Sequence, residues 1–402
     1  MSQLKRPKIE EDDLDGFKYF KKIAALLERL HDAGCARDRA GNRQLHLDQY
    51  LTLLLLFMFN PICQSLRGLQ QASELQKVQR VLGVPRASLG SLSEAARVFD
   101  ADLLKEIIGQ LADELKPVPH DARLDQVREI ITLVDGTCLN ALPQVVRWAL
   151  YRQDERAAKA HVEFEVLKGV PVDAVITAAN TAETATLQAH LQAGRCYVVD
   201  RGYAEYALFQ AILDTGSSFV GRLQDRAVLE TSEERPVAPE AARAGVLRDT
   251  IGRLGCALTR DDLTGPVRVV EVACTPHRKS SGKTGRGGPE QGDRLRLVTN
   301  LTDLPPEVIS VIYQSRWQIE IFFRTFKHVL GCRHLLSYSA NGIALQTYAA
   351  IIACLLITLW TGRKPTLRTH EMISFYFSGW ANAGEVQAHI ARLQEQSKNV
   401  PA

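Results

Sequence analysis

Four polar residues set the chemical question. Tyr313, Arg316, Glu320 and Lys327 follow one another at gaps of three, four and seven in a segment of helical periodicity. At about 100° per residue from Tyr313, Arg316 falls near ~300°, Glu320 near ~340° and Lys327 near ~320°, so the four share about 60° of arc. Trp317 and Arg324 flank that arc near ~40° and ~20°, while Ile319, Phe322, Phe323, Phe326 and Leu330 fill the range from about 180° to 280°. One stripe is built to pack. The neighbouring stripe presents a hydroxyl, a guanidinium, a carboxylate and an ammonium together. Mixed charge alone is what any solvated helix face carries, but the Tyr and Trp on the same stripe are less well explained that way.

Two aspartates end short apolar runs elsewhere. Asp135 closes the run from Glu129 through Ile-Ile-Thr-Leu-Val and is followed by Gly136; Asp200 closes Cys196-Tyr-Val-Val and is followed by Arg201-Gly202. Either one alone reads as a turn residue. Together, carboxylates at the ends of neighbouring strands converge on one point. A third carboxylate on a helix beside that sheet edge completes a set of hard oxygen donors for Mg²⁺ or Mn²⁺. Two such ions would activate an attacking oxygen and stabilise a leaving one in phosphoryl transfer. Arg316 and Lys327 would neutralise nearby phosphates.

The elements that must position these groups belong to an ordinary globular chain. The 402 residues are 46% apolar and 24% charged, which excludes a disordered, collagen-like or coiled-coil protein. Net charge is only +3, so any nucleic-acid surface has to be local. Eight cysteines without a C-x-x-C pair read as buried free thiols of a reducing compartment, not as a structural zinc site. The N-terminus lacks a signal-peptide layout, and the apolar stretch Ile343 to Gly362 reads as a buried core helix rather than a membrane span. The expected location is the cytoplasm, in association with the nucleoid, with no membrane partner.

The pattern divides the chain. Residues 1–16 form a charged, disordered tail and 17–127 a helical N-terminal domain. There a helix through His46 to Phe59 stops at Asn60-Pro61, and Ser91 with Glu94 makes a capping box after the Gly83-Val84-Pro85 break. That spacing suits a helix-turn-helix and equally a plain bundle. Residues 128–222 alternate strand, hairpin, helix, strand, helix, strand, an α/β sheet of mixed direction. Residues 223–304 are a β-rich insertion with runs at Val267 to Cys274 and Arg294 to Val298. Between these lies the basic tip His277 to Gly288, with Arg278, Lys279, Lys283 and Arg286 suited either to solvent or to phosphate. One long helix is expected from Pro305 to Leu330, within a segment 305–362 that rejoins the sheet, and 363–402 is a C-terminal helical region.

The chain resembles the insertion-sequence DDE transposases, of the cut-and-paste group marked by Tyr-(2)-Arg-(3)-Glu-(6)-Lys, here Tyr313, Arg316, Glu320 and Lys327. The surroundings of Asp135 (Thr-Leu-Val-Asp-Gly-Thr) and of Asp200 (Tyr-Val-Val-Asp-Arg-Gly-Tyr) carry the same likeness, as do Lys159-Ala-His161 and Asn341-Gly342. The resemblance covers roughly residues 129 to 362. It implies a ribonuclease H-like catalytic core, mixed in sheet direction, interrupted by a β-strand insertion, preceded by an all-α domain and followed by C-terminal helices. It further implies that Asp135, Asp200 and Glu320 are catalytic metal ligands for Mg²⁺, with Mn²⁺ substituting. Tyr313, Arg316, Lys327 and Arg324 would bind end DNA, and Trp317 would stack on a base. The partners implied are double-stranded DNA, both terminal inverted repeats and target, and a second copy of the chain in a synaptic homodimer.

One departure stands out. Relatives that excise through a DNA hairpin hold a flipped base on an aromatic residue of the insertion, and no Trp, Tyr or Phe lies between Val220 and Ile312. The rival readings are a ribonuclease H-like nuclease without strand transfer and a non-cleaving DNA-binding protein of transposase descent.

Overall fold

The computed structural model describes residues 26–31, 44–143, 146–152, 155–256, 259–273, 294–329 and 335–398. The expected N-terminal tail and the basic tip with Arg278, Lys279, Lys283 and Arg286 lie outside these residues, as do Cys35, Cys274 and Cys332.

Helices α1 (Leu47–Phe59), α2 (Leu66–Ser73), α3 (Gln76–Leu82), α4 (Leu89–Val98) and α5 (Leu103–Glu114) come first. Helix α1 is apolar on nearly every side and correspondingly buried. The cap of α4 is Ser88, whose hydroxyl accepts from the Ser91 amide at 3.0 Å. The capping box expected at Ser91 is therefore displaced by one turn: Ser91 already lies inside the helix, because Ser88 offers the same chemistry three residues earlier.

The sheet follows. Strand β1 (Ile130–Ala141) pairs antiparallel with β3 (Glu155–Glu165), and β3 pairs antiparallel with β4 (Val170–Ala178) and with the short β2 (Leu150–Arg152). On its other side β1 runs parallel to β5 (Arg195–Val199), which is parallel to β6 (Ser218–Arg222). Helix α6 (Glu183–Gln188) precedes β5 and α7 (Tyr206–Asp214) follows it. An antiparallel meander extended by two parallel strands is the mixed-direction, ribonuclease H-like core that the sequence predicts.

Beyond β6 the same sheet continues. Strand β10 (Arg294–Thr299) pairs antiparallel with β6, then come β9 (Val267–Ala273), β8 (Val246–Leu254) and β7 (Leu229–Arg235), with α8 (Pro239–Arg243) between β7 and β8. A bidentate ion pair is sealed within this region: Arg268 Nε and Nη2 donate to Asp249 Oδ1 and Oδ2 at 2.8 and 2.7 Å, with both side chains at most 3% exposed. Arg268 Nη1 also donates to the carbonyls of Leu301, Thr302 and Leu304, fixing the chain where it enters the next helix.

That next helix is not the single long one expected. It is divided into α9 (Pro306–Gln314) and α10 (Trp317–Val329). At the break the Arg316 amide turns back to the Tyr313 carbonyl at 3.1 Å, a tight i to i−3 bond, and Ser315 Oγ donates to the Ile312 carbonyl at 2.6 Å. The hydroxyl and the tightened turn take the place of α-helical bonding there, and the helix is interrupted at Ser315 and Arg316.

Helices α11 (Ala340–Thr361), α12 (Leu367–Phe377) and α13 (Ala383–Lys398) complete the chain. Helix α11 is the one described helix long and apolar enough to cross a membrane, and 94% of its apolar window is buried inside the protein. It packs on β4, α5 and α1 and so joins the sheet to the N-terminal helices. Asn341 fastens its start: its amide donates to the carbonyls of Ala96 and Phe99 at 2.9 and 2.7 Å and its oxygen accepts from the Ala101 amide. Gly362, at φ 65°, ends it in the left-handed conformation that suits a residue without Cβ.

Alternation along the central strands divides the core. Ile131, Leu133, Cys196 and Val198 join the face covered by α9 to α11 and the N-terminal helices, whereas Val134, Tyr197 and Val199 join Tyr203, Leu208 and Phe209 on the other face. The expectation of burial holds for Cys63, Cys196 and Cys354. It fails for Cys138 and Cys256, which are exposed.

Candidate active site

The parallel pairing of β1 with β5 places two carboxylates side by side. Its last partners are Leu133 and Val198, and two residues further along each strand stand Asp135 and Asp200. Both therefore stand just beyond the parallel pairing, Asp135 within β1 opposite Val162 of β3 and Asp200 one residue past β5. Asp135 Oδ1 accepts from the Gly136 amide at 2.8 Å and Asp200 Oδ1 from the Arg201 amide at 2.6 Å. Burial pushes Asp135 up to about 6, with the charges of Glu183 and Asp200 adding to the rise and the Gly136 amide and Arg316 opposing it. A half-buried carboxylate beside like charges is a group short of positive charge.

Arg316 supplies part of that charge. Sitting in the break between α9 and α10, it acts electrostatically on both Asp135 and Asp200, and its Nη2 is 2.7 Å from Glu320 Oε1. Its guanidinium carbon is 5.9 Å from the centre of the Tyr313 ring. Tyr313 Oη is 3.5 Å from Asp200 Oδ1, and burial pushes its phenol up to about 12. The guanidinium thus links all three predicted acidic residues. Among the described residues, however, no three His, Cys, Asp or Glu side chains lie close enough together to hold one ion. Glu320 faces Arg316, not the aspartates.

The break also redistributes the expected stripe. Tyr313 is buried, Arg316 and Lys327 are half-buried, Arg324 is exposed, and Trp317, the first residue of α10, is 44% exposed. A single helical wheel does not describe them, because Tyr313 belongs to one helix and Trp317, Glu320, Arg324 and Lys327 to the next.

Two further residues crowd the backbone behind Asp135. A Cβ placed on Gly136 would come within 2.7 Å of Glu183 Oε1 and 3.2 Å of Lys159 Cδ. Lys159 Nζ and Glu183 Oε1 are themselves 3.0 Å apart. The sequence reading missed Glu183. The one available signal was the glycine after Asp135, which excludes a side chain at that point.

On that same face, a small cavity has a mostly apolar wall, with His161, Glu163, Asp173, Glu183, His190 and Tyr203 among its lining residues. Thr177 Oγ1 donates to the Ala178 carbonyl at 3.0 Å, so it must accept from His161 Nε2 at 2.8 Å. This leaves His161 Nδ1 a bare acceptor without a hydrogen bond among the described residues. Burial pushes His161 down to about 4 and Glu163 up to about 7, Arg195 opposing the second shift from 3.9 Å. Because the folded protein holds the Glu163 proton more tightly than the unfolded chain, this group favours folding below the ordinary carboxylate range. That advantage is lost as pH rises through about 7. Glu163→Gln is expected to be more favourable relative to wild type at pH 8 than at pH 5, by on the order of 1–3 kcal/mol. Urea unfolding at the two pH values measures the difference, and equal values would refute the assignment.

Known proteins align with this arrangement. A family model described as the transposase DDE domain matches residues 127–356, more than half of the chain and the whole span from Asp135 to Glu320. The chain belongs to the DDE transposase family. A Sinorhizobium fredii protein named as transposase y4zB is 28% identical over 234 residues, covering 58% of this chain and 61% of the relative. A Geobacillus stearothermophilus protein named as the transposase for insertion sequence element IS5377 is 24% identical over 304 residues, 74% of this chain and 75% of that one. A solved piggyBac transposase synaptic complex with hairpin DNA shares 10% identity at a TM-score of 0.44, over 98% of this chain and 86% of that chain.

Proposed function

We propose that this DDE transposase-family protein cleaves DNA at the ends of an insertion sequence and joins the freed 3′-OH to target DNA. The observation that carries the reading is the register of β1 against β5, which sets Asp135 and Asp200 side by side beneath the Arg316–Glu320 pair. The donor chemistry fits a hard divalent cation: three carboxylates, one of them half-buried and held short of positive charge. Asp135, Asp200 and Glu320 would hold Mg²⁺, or Mn²⁺ in its place, and Glu320 would leave Arg316 to do so. When bound, the metal supplies activation of the attacking oxygen and stabilisation of the leaving one.

The chain's own groups handle the DNA. Arg316, released from Glu320, forms charge-assisted bonds to the phosphate at the cut, and Tyr313 holds Asp200 in place. Trp317 offers an exposed aromatic face for a base. Arg324, Lys327 and the basic residues Arg278, Lys279, Lys283 and Arg286 contact the backbone, which positions the duplex without reading it. Residues 17–127 read the terminal inverted repeats, and two copies of the chain pair two ends. The element order also supports the division into a core of 128–222 with 305–362, an insertion at 223–304 and C-terminal helices from 363.

The test supplies pre-cleaved end duplexes with a free 3′-OH, a supercoiled target and Mg²⁺ or Mn²⁺. Joined products are expected. Hydrolysis without joining would make the protein a nuclease, and end binding with neither reaction would make it a DNA-binding remnant.

A further inference from the structure

We infer that Glu183 and Lys159 are positioning residues for Asp135, a pair clamped onto the Gly136 backbone that sets how the Asp135 carboxylate is presented to a divalent cation. The inference rests on the reading of Asp135 as a metal ligand. It concerns residues that lie on the opposite face of the sheet and touch no substrate.

The geometry runs through one peptide unit. Gly136 is the residue whose amide donates to Asp135 Oδ1, at 2.8 Å. Whatever fixes that amide fixes the carboxylate it holds. From behind, Glu183 Oε1 approaches so closely that a Cβ on Gly136 would sit 2.7 Å away, with Glu183 Cδ at 3.1 Å and Lys159 Cδ at 3.2 Å. The clamp is itself anchored. Lys159 stands on β3 opposite Cys138 of β1, its Nζ is 3.0 Å from Glu183 Oε1, and it reaches the Thr181 carbonyl at 3.5 Å. The ion pair therefore ties β3 to the start of α6 across the back of β1.

This arrangement is costly for a merely structural purpose. It requires glycine in the middle of a strand, where glycine forfeits conformational entropy and side-chain packing. It also sets the Glu183 carboxylate against Gly136, the residue next to the carboxylate of Asp135. A clamp that restricts Asp135 to one orientation accounts for both features. Groups that orient metal ligands in this way typically alter metal affinity by about 10–100-fold when removed.

The experiment measures Mn²⁺ binding to the full chain without DNA, by electron paramagnetic resonance of the free ion, with thermal unfolding recorded for every variant. Wild type is compared with Asp135→Asn, Glu183→Ala, Glu183→Gln, Gly136→Ala and the double variant Gly136→Ala/Glu183→Ala. Asp135→Asn is expected to lose the site. Glu183→Ala and Glu183→Gln should weaken it about 10-fold or more at nearly unchanged unfolding temperature. Gly136→Ala should weaken it further, and Glu183→Ala, by removing the clashing carboxylate, should restore the double variant to the level of Glu183→Ala alone. That non-additivity is what a steric clamp predicts and what two independent defects would not produce. If Gly136→Ala does not fold, the two Glu183 variants decide the matter alone. Glu183 variants that bind Mn²⁺ as tightly as wild type while Asp135→Asn does not would overturn the clamp. A wild type whose Mn²⁺ binding is indifferent to Asp135→Asn would sink the metal-ligand reading and the clamp together.

Discussion

Glu320→Gln is expected to abolish metal-dependent nicking at the element's ends, by about 10³-fold or more, while the affinity for end DNA stays within about threefold of wild type. The substitution keeps the shape of the side chain and removes the charge. In the metal-free protein that charge is spent on Arg316, at 2.7 Å. Its loss leaves Arg316 more available to phosphate, so binding has no reason to fall. Catalysis does, because a group that stabilises charge developing in the transition state is commonly worth on the order of 10²–10³-fold even when it is one of several. Loss of a metal ligand removes the ion's contribution as well. Arg316→Ala should behave differently: end binding weakens along with cleavage, since under the proposed function the guanidinium contacts the phosphate. The two variants are compared by gel shift and by nicking of a labelled end duplex in Mg²⁺ and in Mn²⁺. Cleavage that survives in Glu320→Gln would remove Glu320 from the site.

The largest stability effect is expected far from the carboxylates. Asp249→Ala should cost about 3–5 kcal/mol, the range for leaving one member of a buried ion pair without its partner. Arg268 would then hold an uncompensated charge at 2% exposure. Arg268→Met should cost no less, because it also orphans the carbonyls of Leu301, Thr302 and Leu304 as well as Asp249. Those carbonyls lie immediately before α9, so loosening them reaches Tyr313 through the helix. Urea unfolding should show a lower midpoint with an unchanged slope. A double variant with two apolar residues of similar volume should recover part of the loss, as replacing a whole buried pair often does. A cost for Asp249→Ala below about 1 kcal/mol would mean that solvent reaches the pair.

What could be read from the sequence was what local pattern encodes. The apolar runs ending at Asp135 and Asp200, the hairpin of β3 and β4, and the buried α11 all declare themselves through short-range periodicity and turn residues. The division between α9 and α10 does not. Tyr313 to Glu320 contains no Gly or Pro and each side keeps helical spacing, so nothing local marks the break, even though Tyr313, Arg316 and Glu320 still meet across it. The α4 cap went to Ser88 because two serines three residues apart offer equal chemistry and only the fold chooses between them. Glu183 was invisible for another reason. Its meeting with Lys159 over Gly136 depends on the register of β3 against β1 and on where α6 lands, which no window of sequence contains. The Arg268–Asp249 pair was not legible either: Arg268 falls in the run Val267 to Cys274, which reads only as a strand, and Asp249 in a stretch given no element, and charged residues are expected outside until a partner is seen.

The continuity of the sheet from β1 through β6 and β10 to β7 has a mechanical consequence. Strands β7 to β10 interrupt the chain between β6 and α9, yet β10 is hydrogen-bonded to β6, so they continue the same sheet that holds β1 and β5. A lid swings on a hinge of few contacts; this region would have to tear a ladder of backbone bonds to move. It is a wall built into the sheet, and any rearrangement around the carboxylates has to come from elements other than these strands.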